Sequence, residues 1–238
     1  MGVYVLLIAH MLADFSLQSN EMASKKKFEL IWLLKHCAIY AVAMAVGCFL
    51  CLDFKAACWT FCWLSLSHFV IDYLRTIYDN KHVETIQALG SLVVDQILHI
   101  GLIMFLCWLH RDQKSCGYLF RFFDEAKLNQ PLRHILLFVT IMDPASILVK
   151  KISHVVSYRK VDEIVEDENH AGSMIGKLER LIIALLVMND GYASIAFVLT
   201  AKSLARHEKL SDEKFAEIYL VGTLSSTAIA MVLARLLG

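Results

Sequence analysis

Apolar positions along this chain gather into long runs near 30–52, 57–74, 87–109, 132–149, 178–200 and 216–237. Each approaches the roughly 20 residues that an α-helix needs to cross the hydrocarbon core of a bilayer. A seventh segment, 3–17, is apolar except for His10 and Asp14 and reads as a tilted span, a half-helix or a re-entrant element. The chain opens Met1-Gly2-Val3-Tyr4-Val5, without the basic residues that begin a cleaved signal peptide, so this segment is expected to stay. The pattern predicts an all-α fold, a polytopic integral membrane helix bundle with six to seven embedded segments.

Composition strengthens this. With 58% hydrophobic residues among 238, two prolines and a mean hydropathy of +0.56, the chain carries more apolar surface than one soluble core can hide. Net charge is zero, so no basic face recommends nucleic acid as a partner; membrane lipid is the expected partner, and a homo-oligomer is compatible with the pattern. Of the seven cysteines (Cys37, Cys48, Cys51, Cys58, Cys62, Cys107, Cys116), five lie well inside apolar runs, where free Cys behaves as a small hydrophobe. Cys48 and Cys51 have C-x-x-C spacing, but no second pair follows at zinc-ribbon spacing, and no disulfide framework is expected.

Connections are mostly short, apart from 110–131 and 150–177. The second of these carries Lys150, Lys151, Arg159 and Lys160, then Asp162-Glu163 and Glu166-Asp167-Glu168, and reads as a solvated charged loop. Residues 1–110 are expected to form a membrane-embedded His/Asp domain and 111–238 a set of C-terminal membrane helices. Basic residues divide almost evenly between alternate loops and fix no orientation.

The N-terminal part repeats itself. Ala9-His10-Met11-Leu12-Ala13-Asp14-Phe15 and Ser67-His68-Phe69-Val70-Ile71-Asp72-Tyr73 share His, three residues, Asp, aromatic. About 26 residues after each comes another polar intrusion, Lys35-His36 and Asp95-Gln96. Two helix hairpins read as copies of one unit, which would place equivalent polar groups about a pseudo-two-fold axis.

Residues four apart share a helix face, so His10 with Asp14, His68 with Asp72, and Asp95 with His99 each form a local polar pair; His36, with Tyr40 one turn on, adds a seventh group. One pair alone reads as two residues satisfying each other. Three pairs point to a common polar centre, because ionisable groups within membrane helices cost at least ~2.5 kcal/mol each and persist mainly for function. Imidazole and carboxylate without thiolate suit a divalent metal, Zn or Mn first. His10, Asp14, His36, His68, Asp72, Asp95 and His99 are the expected ligands, for two ions bridged by carboxylates or for one ion with some Asp holding the ligands in place. A proton relay through the same residues is the alternative occupant.

Around this centre, Gln18, Lys25 to Lys27 and Arg75 are placed to hold an anionic group, although basic residues at helix ends also snorkel to headgroups. Near the C-terminus, Lys202 and Arg206 offer an anion or lipid-headgroup site, and Gly222-Thr223 with Ser225-Ser226 permit close helix packing. His82, His110, His134, His154, His170 and His207 fall at loops or helix ends and need no special role.

The ordered set from His10 through Asp14 and Gln18, His36 with Tyr40, His68 to Tyr73, and Asp95-Gln96 with His99 resembles the bacterial membrane family known as domain of unknown function number 3307, over roughly residues 1–110. It is also distantly similar to inner-membrane metal-dependent hydrolases with His and Asp in their first helices. Arg75 stands where that pattern leads one to expect Lys, keeping the charge but not the amine. The resemblance implies a bacterial inner-membrane location.

The function expected from these residues is metal-dependent hydrolysis of an amphiphilic or phosphorylated substrate, with the metal activating water, Asp14 as base, and Gln18, Lys25 or Arg75 holding the substrate. The rival readings are a metal-ion or proton transporter, and a non-enzymatic component of a larger complex whose polar centre only locks helices together.

Overall fold

The computed structural model describes residues 2–81, 85–110, 125–157 and 169–238. Expectations that touch His82, Cys116, Arg159, Lys160, the acidic run from Asp162 to Glu168 and the His170 side chain lie outside them. Among the described residues every regular element is helical: α1 (Gly2–Met11) running into a π-helical turn (Leu12–Ser16), α2 (Asn20–Lys25), α3 (Leu30–Cys51), α4 (Phe54–Lys81), α5 (Thr85–Leu109), α6 (Glu125–Ile141), α7 (Asp143–Ser157), α8 (Asn169–Met188), α9 (Tyr192–Leu204) and α10 (Glu213–Leu237).

Short polar side chains start several of these helices. The Ser19 hydroxyl accepts from the Met22 amide, Asp53 from Ala56, and Asp212 from Phe215, each satisfying an N–H of a first turn. Four helices, α3, α4, α5 and α10, are long and apolar enough to cross a membrane. Their outward faces carry Val42, Leu66 and Ile97, all more than half exposed, as expected where lipid takes the place of a protein core. Helix α4 is longer than the apolar run 57–74 because Asp72, Arg75 and Asp79 find partners there and do not end the helix.

Two apolar runs are not single helices, which corrects the reading of each as one span. The run 132–149 breaks between α6 and α7 at Met142, just before Asp143-Pro144; proline lacks an N–H and disfavours helical backbone in the residue before it. The run 178–200 breaks between α8 and α9 at Asn189-Asp190-Gly191, where Asp190 takes a left-handed φ of 56° that Asn, Asp and Gly tolerate best. Both signals stand in the sequence, and a count of apolar residues overrides them.

The chain divides into two units, Met1–Leu136 and Leu137–Gly238. In the first, α1 packs on α3 and α5, α3 on α4, and α4 on α5, around a core of Leu6, Tyr40, Met44, Leu64, Ile103 and Leu106. Gly47 lets α1 come close to α3: a Cβ there would lie 3.1 Å from Leu6 Cδ2. That close approach carries the end of α1, with His10, into the interior.

In the second unit α10 packs on α7 and α8, and Leu137, Ile141, Ile183, Val187, Ile195 and Ala230 form the core. Arg180 is buried there. Its guanidinium donates to the Ile141 carbonyl at 2.6 Å, the Met142 carbonyl at 3.1 Å, Ser226 Oγ at 3.2 Å and Ser146 Oγ. Two of these acceptors are carbonyls released where α6 ends, so the buried cation satisfies the helix break. The charged segment expected at 150–177 is helical at both ends, in α7 and α8.

Candidate metal centre

Seven polar residues from α1, the π-helical turn, α3, α4 and α5 meet inside the first unit: His10, Asp14, His36, His68, Asp72, Asp95 and His99 are all buried. The three same-helix pairs do not close on themselves. His68 Nε2 lies 3.9 Å from Asp72 Oδ2 and His99 Nδ1 3.7 Å from Asp95 Oδ1, longer than hydrogen bonds, and the imidazoles turn to one another across helices. The π-helical turn opens the backbone between His10 and Asp14, and the two connect through Gln96: His10 Nε2–H donates to Gln96 Oε1 at 3.1 Å, and Gln96 Nε2 donates to Asp14 Oδ2 at 2.7 Å.

Hydrogen-bond logic assigns the imidazole tautomers. His99 Nδ1 is 2.9 Å from the backbone carbonyl of Asp95, which only accepts, so His99 carries its proton there. The neutral ring then offers a lone pair at Nε2, and His68 Nδ1–H donates to it at 2.8 Å. Neutral His68 is left with its own lone pair at Nε2. The Tyr40 ring lies flat on His68, 3.5 Å between centroids and 2° from parallel, and holds that lone pair in place.

His68 Nε2 faces three other ligand atoms. His36 Nε2 is 3.2 Å from it, 3.2 Å from Asp14 Oδ1 and 3.2 Å from Asp72 Oδ2. One ligand atom each from Asp14, His36, His68 and Asp72 lies within 4.8 Å of the other three, and all four residues are buried. A tetrahedral ion with bonds of roughly 2.1 Å separates its ligand atoms by about 3.4 Å; the three spacings from His36 Nε2 are near this, and that between His68 Nε2 and Asp72 Oδ2 is longer, 3.9 Å. A second group, Asp72, Asp95 and His99, meets the same distance criterion. There, however, both His99 nitrogens are engaged, and Asp95 Oδ2 takes Arg75 at 2.9 Å and Gln96 at 3.0 Å. Either group could hold an ion, and the first has fewer of its atoms engaged by other partners. His10 belongs to neither group: it stacks on His99 at 5.4 Å, and Gln96 joins it to Asp14.

Two further features fit a cation. Asp72 Oδ1 and Asp95 Oδ1 are buried without a hydrogen-bond partner. Carboxylates also outnumber lysine and arginine partners here: among the described residues Asp14, Asp72, Asp95 and Asp79 face Lys26, on Asp72 at 2.9 Å, and Arg75, 2.9 Å from Asp95 and 3.6 Å from Asp79. His36 Nε2 meets Asp14 and Asp72 as well, at 3.2 Å each, and a divalent ion held here would neutralise carboxylate charge that remains.

Of the residues expected to hold a substrate, Arg75 borders the cluster and Gln18 meets Lys26 Nζ at 3.4 Å. Lys25 has partners of its own outside the cluster. Its ammonium pairs with Glu21 at 2.7 Å and lies over the Trp32 ring; the bond raises the Lys25 pKa and lowers that of Glu21. The lysine that reaches the cluster is Lys26, and the amide that ties it together is Gln96. Gln96 could be found as a polar residue inside an apolar run, whereas nothing local separates Lys26 from its two neighbours. In the second unit Lys202 is engaged by Glu179 and lies over the Tyr219 ring, and Arg206 follows the end of α9. His110 packs edge-on against Trp59, at the end of α5.

Comparison with curated proteins and with solved structures returns no match. A family model matches residues 3–123, about half of the chain and the part that contains every residue of the cluster. The protein therefore belongs to the family described as protein of unknown function (DUF3307).

Proposed function

We propose that the chain is a membrane metalloprotein that binds one divalent ion, Zn or Mn, through Asp14, His36, His68 and Asp72, and uses it to hydrolyse an amphiphilic or phosphorylated substrate. The observation that carries this reading is the convergence of those four ligand atoms within 4.8 Å, with the His68 lone pair fixed toward them. Two imidazoles and two carboxylates are a donor set that Zn and Mn accept and Cu(I) does not favour. A bound ion of this kind lowers the pKa of water and polarises a phosphoryl or carbonyl oxygen.

The remaining roles fall to the chain's own side chains. His99 keeps His68 in the ligating tautomer, and Gln96 holds Asp14 in place. Asp95 is held by Arg75 on one oxygen and has its other, Oδ1, without a partner, so it is placed to take a proton. Arg75, 21% exposed at its side chain, stands at the rim, where it can bind an anionic group of the substrate. The likeness between the α1–α3 and α4–α5 pairs supports an origin by duplication, with further embedded segments in the C-terminal part. A bacterial inner membrane is the location this reading implies.

The test is a panel of phosphoester and ester lipids offered to detergent-purified protein. Turnover is expected that stops with chelator, returns with Zn or Mn, and falls by about 10²-fold or more in Asp95→Asn. No hydrolysis across the panel, together with ion flux in proteoliposomes that is lost in His36→Ala, would replace the hydrolase by a transporter.

A further inference from the structure

One cation already sits on the proposed site. Lys26 Nζ is 2.9 Å from Asp72 Oδ2, the same oxygen that lies 3.2 Å from His36 Nε2 and 3.9 Å from His68 Nε2. That oxygen faces both imidazoles, so an ion held by the two rings and Asp72 must share it with the ammonium or displace it. Two positive charges within hydrogen-bonding reach of one oxygen repel each other strongly in a buried place.

The lysine is built to leave. Its side chain is 14% exposed and enters from the connection between the π-helical turn and α3, and its ammonium also meets Gln18 Oε1 at 3.4 Å. The backbone beside it is anchored, because Asn80 Nδ2 donates to the Lys27 carbonyl at 2.6 Å. The flexible four-carbon stem can therefore swing while the segment stays in place. Its neighbours cannot substitute for it: Lys25 is engaged by Glu21 and Trp32, and Lys27 is exposed.

We infer that Lys26 is an exchangeable counter-ion of the metal centre: a divalent ion entering the cluster takes Asp72 Oδ2 from the ammonium, and the released Lys26, beside Gln18, becomes an anion-binding group at the rim. The inference rests on the metal reading above. It makes ion binding and the creation of an anion site one event, so that an anionic substrate is captured by the loaded protein and repelled by the carboxylates of the metal-free one. By linkage, an anion held by Lys26 tightens the ion in turn.

The full chain in detergent, titrated with Mn²⁺, supplies the test. Trace acetylation read by mass spectrometry should label Lys26 faster when Mn²⁺ is bound, while Lys25 and Lys27 serve as internal controls and change little. Lys26→Met should bind Mn²⁺ about tenfold more tightly or better, because a competing unit charge is gone, and Lys27→Met should not. Lys26 labelled equally with and without bound Mn²⁺, or Lys26→Met binding Mn²⁺ no more tightly than the parent, overturns the exchange and leaves the metal centre standing. Failure of every variant to bind Mn²⁺ overturns the metal centre, and the exchange falls with it.

Discussion

Both units bury charge, and they do so in opposite ways. Arg180 in the second unit spends its donors on two backbone carbonyls and one serine hydroxyl at the break between α6 and α7 and on a serine hydroxyl of α10. The His/Asp cluster in the first unit brings four imidazoles and three carboxylates together and leaves Asp72 Oδ1, Asp95 Oδ1 and His36 Nδ1 without partners. A buried ion whose partners are complete explains itself as architecture. Buried carboxylates and imidazoles gathered this closely could hold a cation from outside. The second unit has an incomplete group as well, Glu179 Oε1, but its companion oxygen meets Lys202 and no further ligand converges on it among the described residues.

Substitutions can break this contrast. The largest effect is expected from His68→Ala, which deletes the ligand whose lone pair the relay fixes. Bound metal should fall below stoichiometric in elemental analysis, and the rise in melting temperature on adding Zn or Mn should disappear, because an ion that binds only the folded form stabilises it by mass action. Next comes Arg180→Met, which leaves several buried acceptors unpaired and should cost about 3 kcal/mol or more in stability. Denaturant unfolding reads that loss, and metal content should stay at the parental value. Loss of metal in Arg180→Met would erase the distinction between the two regions.

A smaller effect sharpens the inner structure of the site. His99→Phe removes the acceptor that orients His68 without removing a ligand, and should weaken metal binding by about 10- to 100-fold at unchanged stoichiometry, as read by competition titration. A fall in stoichiometry would instead make His99 a ligand. The smallest effect is Lys25→Ala, which removes an exposed pair with Glu21 and a surface contact with the Trp32 ring and should leave metal affinity and melting temperature within error.

The sequence carries the helical, membrane-spanning character of the chain plainly, because long apolar runs have no other favourable solvent. It carries the cluster's membership nearly as well, since an ionisable residue in such a run is costly wherever it lies. What it does not carry is the wiring. Four-residue spacing pairs His68 with Asp72 on one helix, yet the shorter contacts of His68 run to His99 and His36 on neighbouring helices, which only packing decides. The π-helical turn at Leu12–Ser16 shifts Asp14 off the face that ideal geometry assigns it. Lys25, Lys26 and Lys27 look alike in the sequence, and the position of the chain as it enters α3 chooses Lys26. The breaks at Met142 and Asn189–Gly191 were legible from Asp143-Pro144 and Asn-Asp-Gly, and are hidden only when hydropathy is summed along the run.

The central claim, that Asp14, His36, His68 and Asp72 surround one ion, is tested most directly by X-ray absorption at the edge of the metal bound to the purified chain. One ion per chain is expected, with an oxygen and nitrogen shell that includes the scattering pattern of two imidazoles, reduced to one in His36→Ala. Sulfur in the shell, or an imidazole signal that survives unchanged in both His36→Ala and His68→Ala, would contradict it.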